Sequence, residues 1–219
     1  MEWFIIQADE SWCDTKDGNR KKCLEHDTKA FFHSDYEGGG KWREDGTIEN
    51  MICTLKNDRT PYTDNVLKQK VEQLVRILRE DLPKIPIICS CSQLTVCVIP
   101  RAKKEEHYAD NQRLFKLAVS KVAKQCPSLI DGTSYIKRRT DTRTTHSDRS
   151  GNGGNGPRPY CGITNDTCSI SNISGKNILL VDDLYTKTIC IDEDCIQALY
   201  DNGARNVFFY SVGKTISRW

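Results

Sequence analysis

The segment from Asn177 to Val212 constrains the fold more than any other part of the chain. It begins with an apolar run, Ile178–Val181, passes into a helical pattern that Gly203 ends, and returns to a second apolar run. Glycine directly after a helical pattern is a typical C-terminal signal, and short apolar runs bounded by turn residues are typical of buried strands. Strand, helix and strand in this order predict parallel strands joined by a right-handed crossover.

The same alternation occurs earlier in the chain. Apolar residues recur at helical spacing from Asn65 to Glu80, a buried strand closed by Pro100 is predicted in LTVCVIP, and a second helix is predicted in NQRLFKLAVSKVAKQ. We therefore predict an α/β fold, a Rossmann-like parallel sheet with flanking helices, in residues 61–219. Residues 1–60 show no clear periodicity, and we expect a small irregular N-terminal segment or hood there.

The overall charge does not select an anionic partner. Lys and Arg number 32 against 30 Asp and Glu, so the net charge is +2 and any anion must be bound by a local cluster. The apolar runs are too short to cross a bilayer, and the start MEWFIIQADE lacks the basic residues and long apolar core of a secretory signal. We therefore expect a cytoplasmic protein with no membrane partner.

The chain has eleven cysteines. Their odd number, and the lack of an export signal, argue against a disulfide framework, and we expect most of them to be reduced core thiols. A zinc site in the N-terminal part is an alternative, because the right ligand types occur there, although without a CxxC pair. Those ligand types are carried by Cys13, Cys23, His26, His33 and Cys53.

A basic and then glycine-rich stretch, YIKRRTDTRTTHSDRSGNGGNGPRPY, interrupts the alternation of strands and helices. It offers almost nothing apolar to bury, so we predict a mobile loop over about residues 138–160. A loop of this length in an ordered domain is often a lid or a binding segment, and a plain disordered insertion has the same composition.

The adjacent acids Asp182 and Asp183 follow the apolar run of the opening segment. A solvated turn is the simplest interpretation of such a pair. Parallel sheets, however, bind ligands at the carboxyl ends of their strands, where these acids are predicted to lie. Carboxylates accept hydrogen bonds from the hydroxyls of a sugar, and the hydroxyls of Thr186 and Thr188 with the start of the next helix suit a phosphate. A ribose phosphate meets both demands, and a magnesium ion carried by it would be tolerated beside the acids.

ILLVDDLYTKT, followed by ALYDNGARNV, resembles the phosphoribosyl pyrophosphate signature of the type I phosphoribosyltransferases, which are glycosyltransferases. The resemblance is closest to the ComF-like branch, which is linked to competence proteins. In that branch a strand ending in proline leads to Asn-Gln before a helix, as Pro100 and Asn111-Gln112 do here, and an arginine-rich segment such as Arg138–Thr142 precedes the signature. The match covers roughly residues 90–215.

The resemblance implies roles for particular residues. The acids Asp182 and Asp183 would hold the ribose hydroxyls, act in catalysis and contact magnesium directly or through the ligand. A loop around the 5′-phosphate would consist of Tyr185, Thr186, Lys187, Thr188, Ile189 and Cys190. The pyrophosphate would be held by Arg101, Ala102, Lys103 and Lys104. A lid would carry Arg138, Arg139 and Arg143.

Three functional hypotheses follow. The first is an enzyme that binds phosphoribosyl pyrophosphate with magnesium and transfers the phosphoribosyl group to a nucleobase or amine, releasing pyrophosphate. The second is a non-catalytic sensor of such a ligand, or a partner-binding module, because Thr188 stands where the family's phosphate loop has glycine. The third is nucleic-acid handling through the basic loop. The acceptor and the oligomeric state, including a possible homodimer, are not indicated by any residue.

Overall fold

A computed structural model describes residues 1–14, 19–58, 61–144, 163–187 and 189–216. The strands are β1 (Glu2–Ile6), β2 (Trp12–Asp14), β3 (Arg20–Lys22), β4 (Thr28–Tyr36), β5 (Leu94–Val98), β6 (Leu129–Asp131), β7 (Ile136–Arg138), β8 (Cys168–Ile170), β9 (Asn177–Tyr185) and β10 (Asn206–Thr215). The α-helices are α1 (Ile48–Lys56), α2 (Asp64–Asp81), α3 (Lys84–Ile88), α4 (Leu114–Gln125), α5 (Ile163–Thr167) and α6 (Ile191–Asp201).

A six-stranded sheet in the order β1-β4-β10-β9-β5-β6 forms the centre of the molecule. Its strands pair in parallel except for β1, which is antiparallel to β4. The predicted α/β architecture, a mostly parallel sheet flanked by helices, is therefore confirmed. Residues 1–60, expected to be irregular, supply β1 and β4 to this same sheet, and α1 to the helices that cover it.

The two faces of the sheet carry separate cores, because successive residues of a strand point to opposite faces. In β9, Leu179 and Val181 pack with helices α1, α2 and α4, whereas Ile178 and Leu180 pack with α6. The helix that follows β5 thus lies on one face, and the helix that follows β9 lies on the other. The chain therefore leaves β5 toward one face of the sheet and leaves its neighbour β9 toward the other face.

Two elements differ from the simplest interpretation of the sequence. The apolar run IPIICS, residues 85–90, is rich in β-branched residues, which are typical of strands, but most of it lies in the short helix α3. Strand β9, expected to end at Val181, continues to Tyr185 because β10 pairs with it as far as Lys214. Both differences come from tertiary packing, which overrides local preference. None of the described helices is long and apolar enough to cross a membrane.

Asp81, at the end of α2, is a buried polar link between the helix layer and the sheet. It accepts hydrogen bonds of 2.9 Å from His33 of β4 and from the hydroxyl of Tyr210 of β10. Burial acts to raise the pKa of Asp81, but these hydrogen bonds outweigh it and the pKa lies below its ordinary value. The ionised carboxylate therefore joins α2 to two strands that position the acidic end of β9.

We predict that Asp81→Ala lowers the free energy of unfolding by about 3 kcal/mol, because it leaves the buried hydroxyl of Tyr210 without its acceptor and His33 without its partner. Urea unfolding followed by circular dichroism measures the change. The neighbouring Glu80 forms an exposed ion pair with Lys84, so Glu80→Ala is the matched control and should change stability by less than about 0.5 kcal/mol. Equal effects of the two substitutions would contradict the assigned role of Asp81.

Candidate functional site

A cavity of about 220 Å³ opens at the carboxyl ends of β5 and β9. This is the position where the connections from two adjacent parallel strands run to opposite faces of the sheet. Such a switch point leaves a crevice between the two connections, and ligands of open α/β sheets bind there. The topology alone therefore singles out the end of the sheet at which the sequence placed the acidic pair.

The cavity has an apolar interior and a charged mouth. The interior is formed by side chains from α1, α2, α4, β5 and β10, namely Met51, Ile52, Leu55, Leu74, Val98, Phe115 and Val212. The predicted site residues among the lining are Arg101, Ala102, Lys103, Arg138, Asp182 and Asp183. Three assignments from separate parts of the sequence, the acids, the pyrophosphate loop and the first lid arginine, thus meet at one cavity.

The acids line the cavity because β9 extends beyond the end of its neighbour β5. Strand β5 ends at Val98, which pairs with Val181, and the amide of Ile99 donates the last hydrogen bond, of 3.1 Å, to the carbonyl of Val181. On its other side β9 remains paired with β10 beyond this point. Asp182 and Asp183 are therefore held on a regular strand but have an open side where β5 has ended.

Lys56, the last residue of α1, neutralises part of this charge. Its Nζ lies 3.3 Å from Oδ2 of Asp183. Burial alone would lower the pKa of Lys56, but the attraction of Asp183 and Asp182 outweighs burial and the pKa is raised. The ammonium group therefore stays charged and occupies the position next to Asp183 where a cation would be expected to bind.

Asp182 is stabilised in a different way, through a shared proton. Its side chain is hydrogen-bonded to that of Asp192, in the first turn of α6, and two carboxyl groups can form such a bond only when one is protonated. Burial, followed by repulsion from Asp183, raises the pKa of Asp182 to about 7. Burial and the charge of Asp182 raise the pKa of Asp192 well above its ordinary value. The hydrogen bond itself lowers the pKa of Asp182 and raises that of Asp192, so Asp192 is the donor of the pair.

The predicted pyrophosphate loop, residues 100–104, is braced by the segment that follows β7. Arg138 donates from Nε to the carbonyl of Arg101 at 3.1 Å and from Nη2 to that of Pro100 at 3.3 Å. The amide of Thr142 donates to the carbonyl of Ala102 at 2.7 Å. These hydrogen bonds hold the carbonyl groups of residues 100–102 toward Arg138 and Thr142. Arg138 therefore stabilises the conformation of the loop in this form.

The cationic groups of this loop are not equally available to a ligand. The guanidinium of Arg101 donates to the carbonyls of Lys56 and Gln112, forms an ion pair with Asp58, and lies over the ring of Tyr108. Lys103 lines the cavity, and the hydrogen bond that it donates to the hydroxyl of Tyr108 comes from its backbone amide, not from its ammonium group. Lys104 is not among the lining residues, and its amide donates to Asp141. Lys103 is therefore the best placed to meet an anion.

The predicted 5′-phosphate loop lies beside the cavity, not in its wall. Tyr185 is buried and donates to Glu193 at 2.9 Å, Thr186 is hydrogen-bonded to Thr215, and Lys187 forms an ion pair with Glu10. Ile189 and Cys190 are also absent from the lining, and Thr188 lies outside the described residues. In this form the structure does not bring the phosphate loop together with the acids.

The first turn of α6 strengthens this separation. Its residues Asp192, Glu193 and Asp194 are all buried. A helix N-terminus attracts anions, and these three carboxyl groups already lie there. Asp194 accepts the amide of Thr164 at 2.8 Å, and burial raises the pKa of Glu193 to about 7. Carboxyl groups of the chain itself thus occupy the end of the helix at which the sequence suggested a phosphate.

The remaining predicted residues can be placed only in part. The amide of Arg139 donates to the carbonyl of Thr167, which anchors the start of the predicted lid, while residues 145–162 lie outside the described part of the chain. Arg143 does not line the cavity. In the described ranges no group of three or more acidic, histidine or cysteine side chains is arranged to hold a metal ion. The doublet therefore has the oxygen ligands that magnesium prefers but does not form a complete site alone.

Sequence reasoning missed Lys56, Asp192 and the pairing of Arg101 with Asp58. Lys56 lies in the segment whose pattern predicted no fold. Asp192 had a signal, since three successive acids begin the helix after the proposed phosphate loop, but acidic residues are ordinary in a first helical turn.

We predict that Asp182→Asn stabilises the protein increasingly as the pH rises from 5 to 8. In the folded protein the pKa of Asp182 is raised to about 7, whereas in the unfolded chain the carboxyl ionises near its ordinary value of 3.8. Its contribution to stability is therefore lost as the pH rises through this interval, and asparagine removes that loss while its amide oxygen still accepts from Asp192. We expect a gain on the order of 1 kcal/mol at pH 8 in urea unfolding.

Asp35→Asn, at an exposed position of β4, is the control and should show no such trend. A gain for Asp182→Asn that is the same at every pH would contradict the shared-proton interpretation.

Comparison with known proteins adds no family to this picture. No protein-family model matches the chain, and no curated protein matches it significantly. The resemblance to phosphoribosyltransferases therefore rests on the sequence motifs alone.

Proposed function

We propose that the chain binds phosphoribosyl pyrophosphate and transfers its phosphoribosyl group to a nitrogen nucleophile. The observation that carries the proposal is the meeting of Asp182, Asp183 and the loop of residues 100–103 in one cavity at the switch point of the sheet. Carboxylates can accept hydrogen bonds from the two ribose hydroxyls, and the ammonium group of Lys103 can pair with the pyrophosphate. The sequence and the topology support this site independently of each other.

In the proposed reaction the bond between C1 of the ribose and the pyrophosphate oxygen breaks, and the electron pair leaves with pyrophosphate. The lone pair of the acceptor nitrogen forms the new bond to C1, and the nitrogen loses its proton to solvent. Asp183 would accept a ribose hydroxyl and orient the sugar, and Lys103 would offset the charge of the leaving group. Magnesium, when present, would arrive on the pyrophosphate and neutralise its charge.

The apolar interior of the cavity suits the acceptor better than it suits a phosphate. Met51, Leu55 and Phe115 offer flat or flexible apolar contacts and no charge. A ring placed there would lie beside the sugar held by Asp182 and Asp183. We therefore favour a nucleobase over a charged amine as the acceptor.

Specific observations also favour a second candidate, a sensor that binds the ligand without turnover. Lys187 is paired with Glu10, and the first turn of α6 carries buried carboxyl groups where the 5′-phosphate would be expected. Lys56 already occupies one side of Asp183. For turnover, the loop of residues 185–190 would have to move toward the cavity when the ligand binds.

We predict that Asp183→Asn weakens the binding of phosphoribosyl pyrophosphate with magnesium at least tenfold, about 1.4 kcal/mol, because an amide replaces one acceptor of the ribose hydroxyls. Isothermal titration calorimetry measures the affinity, and circular dichroism checks that the fold is kept. Lys103→Ala should also weaken binding, whereas Lys187→Ala should change it by less than about 0.5 kcal/mol if the loop stays as described.

The exposed Asp35→Asn serves as the matched control for charge removal. Unchanged affinity in Asp183→Asn would refute the site, and a large loss in Lys187→Ala would show that the loop closes over the ligand. Release of pyrophosphate with any nucleobase would establish the enzyme. Binding without release for every base tested would favour the sensor.

A further inference from the structure

The wall of the cavity carries more positive than negative charge. Seven cationic and four acidic residues line it, so the cavity has a surplus of three positive charges where the whole chain has a net charge of +2. Three of these cations, Lys56, Arg101 and Arg138, are held by acids or by carbonyl groups of the chain. Two others, Arg113 and Lys116, come from the start of α4, and no motif in the sequence predicted a role for them.

Arg113 and Lys116 meet at one carboxylate of the cavity wall, that of Glu105. The Nζ of Lys116 lies 2.7 Å from Oε2 of Glu105, and Nη1 of Arg113 lies 3.8 Å from Oε1. Residues three apart at a helical turn lie on the same side, which explains how both cations reach this group. Arg113 also pairs with Asp110, whose side chain is almost fully exposed and does not line the cavity.

The position of these two cations opposes the electrostatics of the helix. A helix N-terminus carries a partial positive charge and favours acidic side chains. The first turns of α1, α2 and α6 contain acids, whereas the first turn of α4 contains none. Arg113 and Lys116 therefore add positive charge to an end that is already positive, which is unfavourable unless an anion lies nearby. Glu105 supplies that anion in this form.

Little free energy is needed to displace Glu105 from this position. It begins a short 3₁₀ turn, Glu105–His107, directly after the loop of residues 100–104, and its side chain is 46% exposed. Ion pairs between side chains that water can reach contribute little to stability. A ligand with several negative charges can therefore replace the carboxylate between Arg113 and Lys116, and the released side chain can turn to solvent.

Pyrophosphate needs a set of cations of this kind. Lys103 precedes Glu105 by two residues and lines the same cavity, but one ammonium group does not offset the charge of a polyanion. Arginine can donate two parallel hydrogen bonds to a phosphate, and lysine adds a compact positive charge. Together, Lys103, Arg113 and Lys116 therefore suit the two phosphates of pyrophosphate better than Lys103 alone.

We propose that Arg113 and Lys116 complete, with Lys103, a pyrophosphate subsite of the cavity, and that Glu105 is an internal counter-ion which occupies this subsite until the ligand displaces it. The inference rests on the proposed function, because pyrophosphate is the leaving group of that reaction. It adds two binding residues and a form of regulation. Glu105 keeps the cations of the free cavity paired, and only a ligand with enough charge replaces it.

Inorganic pyrophosphate is the probe, and isothermal titration calorimetry of the full chain measures its affinity. Lys116→Ala should weaken binding at least about fivefold, because a charge-assisted contact is lost. Lys121→Ala is the matched control and should leave the affinity unchanged, since Lys121 is an exposed residue of the same helix and does not line the cavity. Circular dichroism checks that each variant keeps the fold.

Glu105→Gln gives a result of the opposite sign. It should tighten the binding of pyrophosphate about threefold, because the internal competitor loses its charge while its size is kept. Glu106→Gln is the control for charge removal, since Glu106 is exposed and does not line the cavity, and it should leave the affinity unchanged. Weaker binding in Glu105→Gln, or equal effects of the two substitutions, would overturn the role of Glu105 as a counter-ion.

Asp183→Asn separates this inference from the proposed function. Pyrophosphate has no ribose, so Asp183→Asn should not weaken its binding, whereas Lys116→Ala should weaken the binding of pyrophosphate and of phosphoribosyl pyrophosphate. If Asp183→Asn weakens phosphoribosyl pyrophosphate but Lys116→Ala leaves pyrophosphate unaffected, the cationic subsite is overturned and the function stands. The reverse pattern would support the cationic subsite and refute the ribose site. An unsubstituted chain that does not bind pyrophosphate would also overturn the subsite.

Discussion

Asp182 and Asp183 lie side by side in a half-buried cavity, and the electrostatics of that pair shape the rest of the site. Two adjacent carboxylates in such a position repel each other and lose hydration. The chain offsets this in two ways: Lys56 places a positive charge 3.3 Å from Asp183, and Asp192 shares a proton with Asp182. Each partner comes from a helix on a different face of the sheet, so the acids can be held together only when the layered fold is complete.

The architecture explains why the acids are accessible at all. Strand β9 continues beyond the end of β5, and the helices that follow these two strands lie on opposite faces. The crevice between them receives the loop of residues 100–104 from one side and the acids from the other. Arg101 and Arg138, which the sequence presents as ligands, serve largely to hold this loop in shape. The basic character of a loop therefore does not by itself show how much charge is left for a ligand.

The N-terminal residues take part in the candidate site. They supply β1 and β4 to the sheet and Lys56 to the acidic pair. On the other side, Cys190 immediately precedes the helix that carries Asp192. The segment expected to be irregular is therefore part of the layered structure that holds the cavity acids.

The sequence by itself determined the elements whose signals are local. Period-3.6 and short apolar patterns predicted α2, α4, α6 and the strands before the acids, and the acidic pair at a strand end predicted the functional edge of the sheet. Such patterns report which face of a segment is buried, and this depends on neighbours in the chain.

Only the tertiary structure decided which residues meet. The pairing of Lys56 with Asp183 and the hydrogen bonds of Asp81 with His33 and Tyr210 join segments far apart in the chain, and the hydrogen bond of Asp182 with Asp192 joins a strand to the helix that follows it. Those contacts depend on strand order and on the face to which each helix returns, and no local periodicity carries that information.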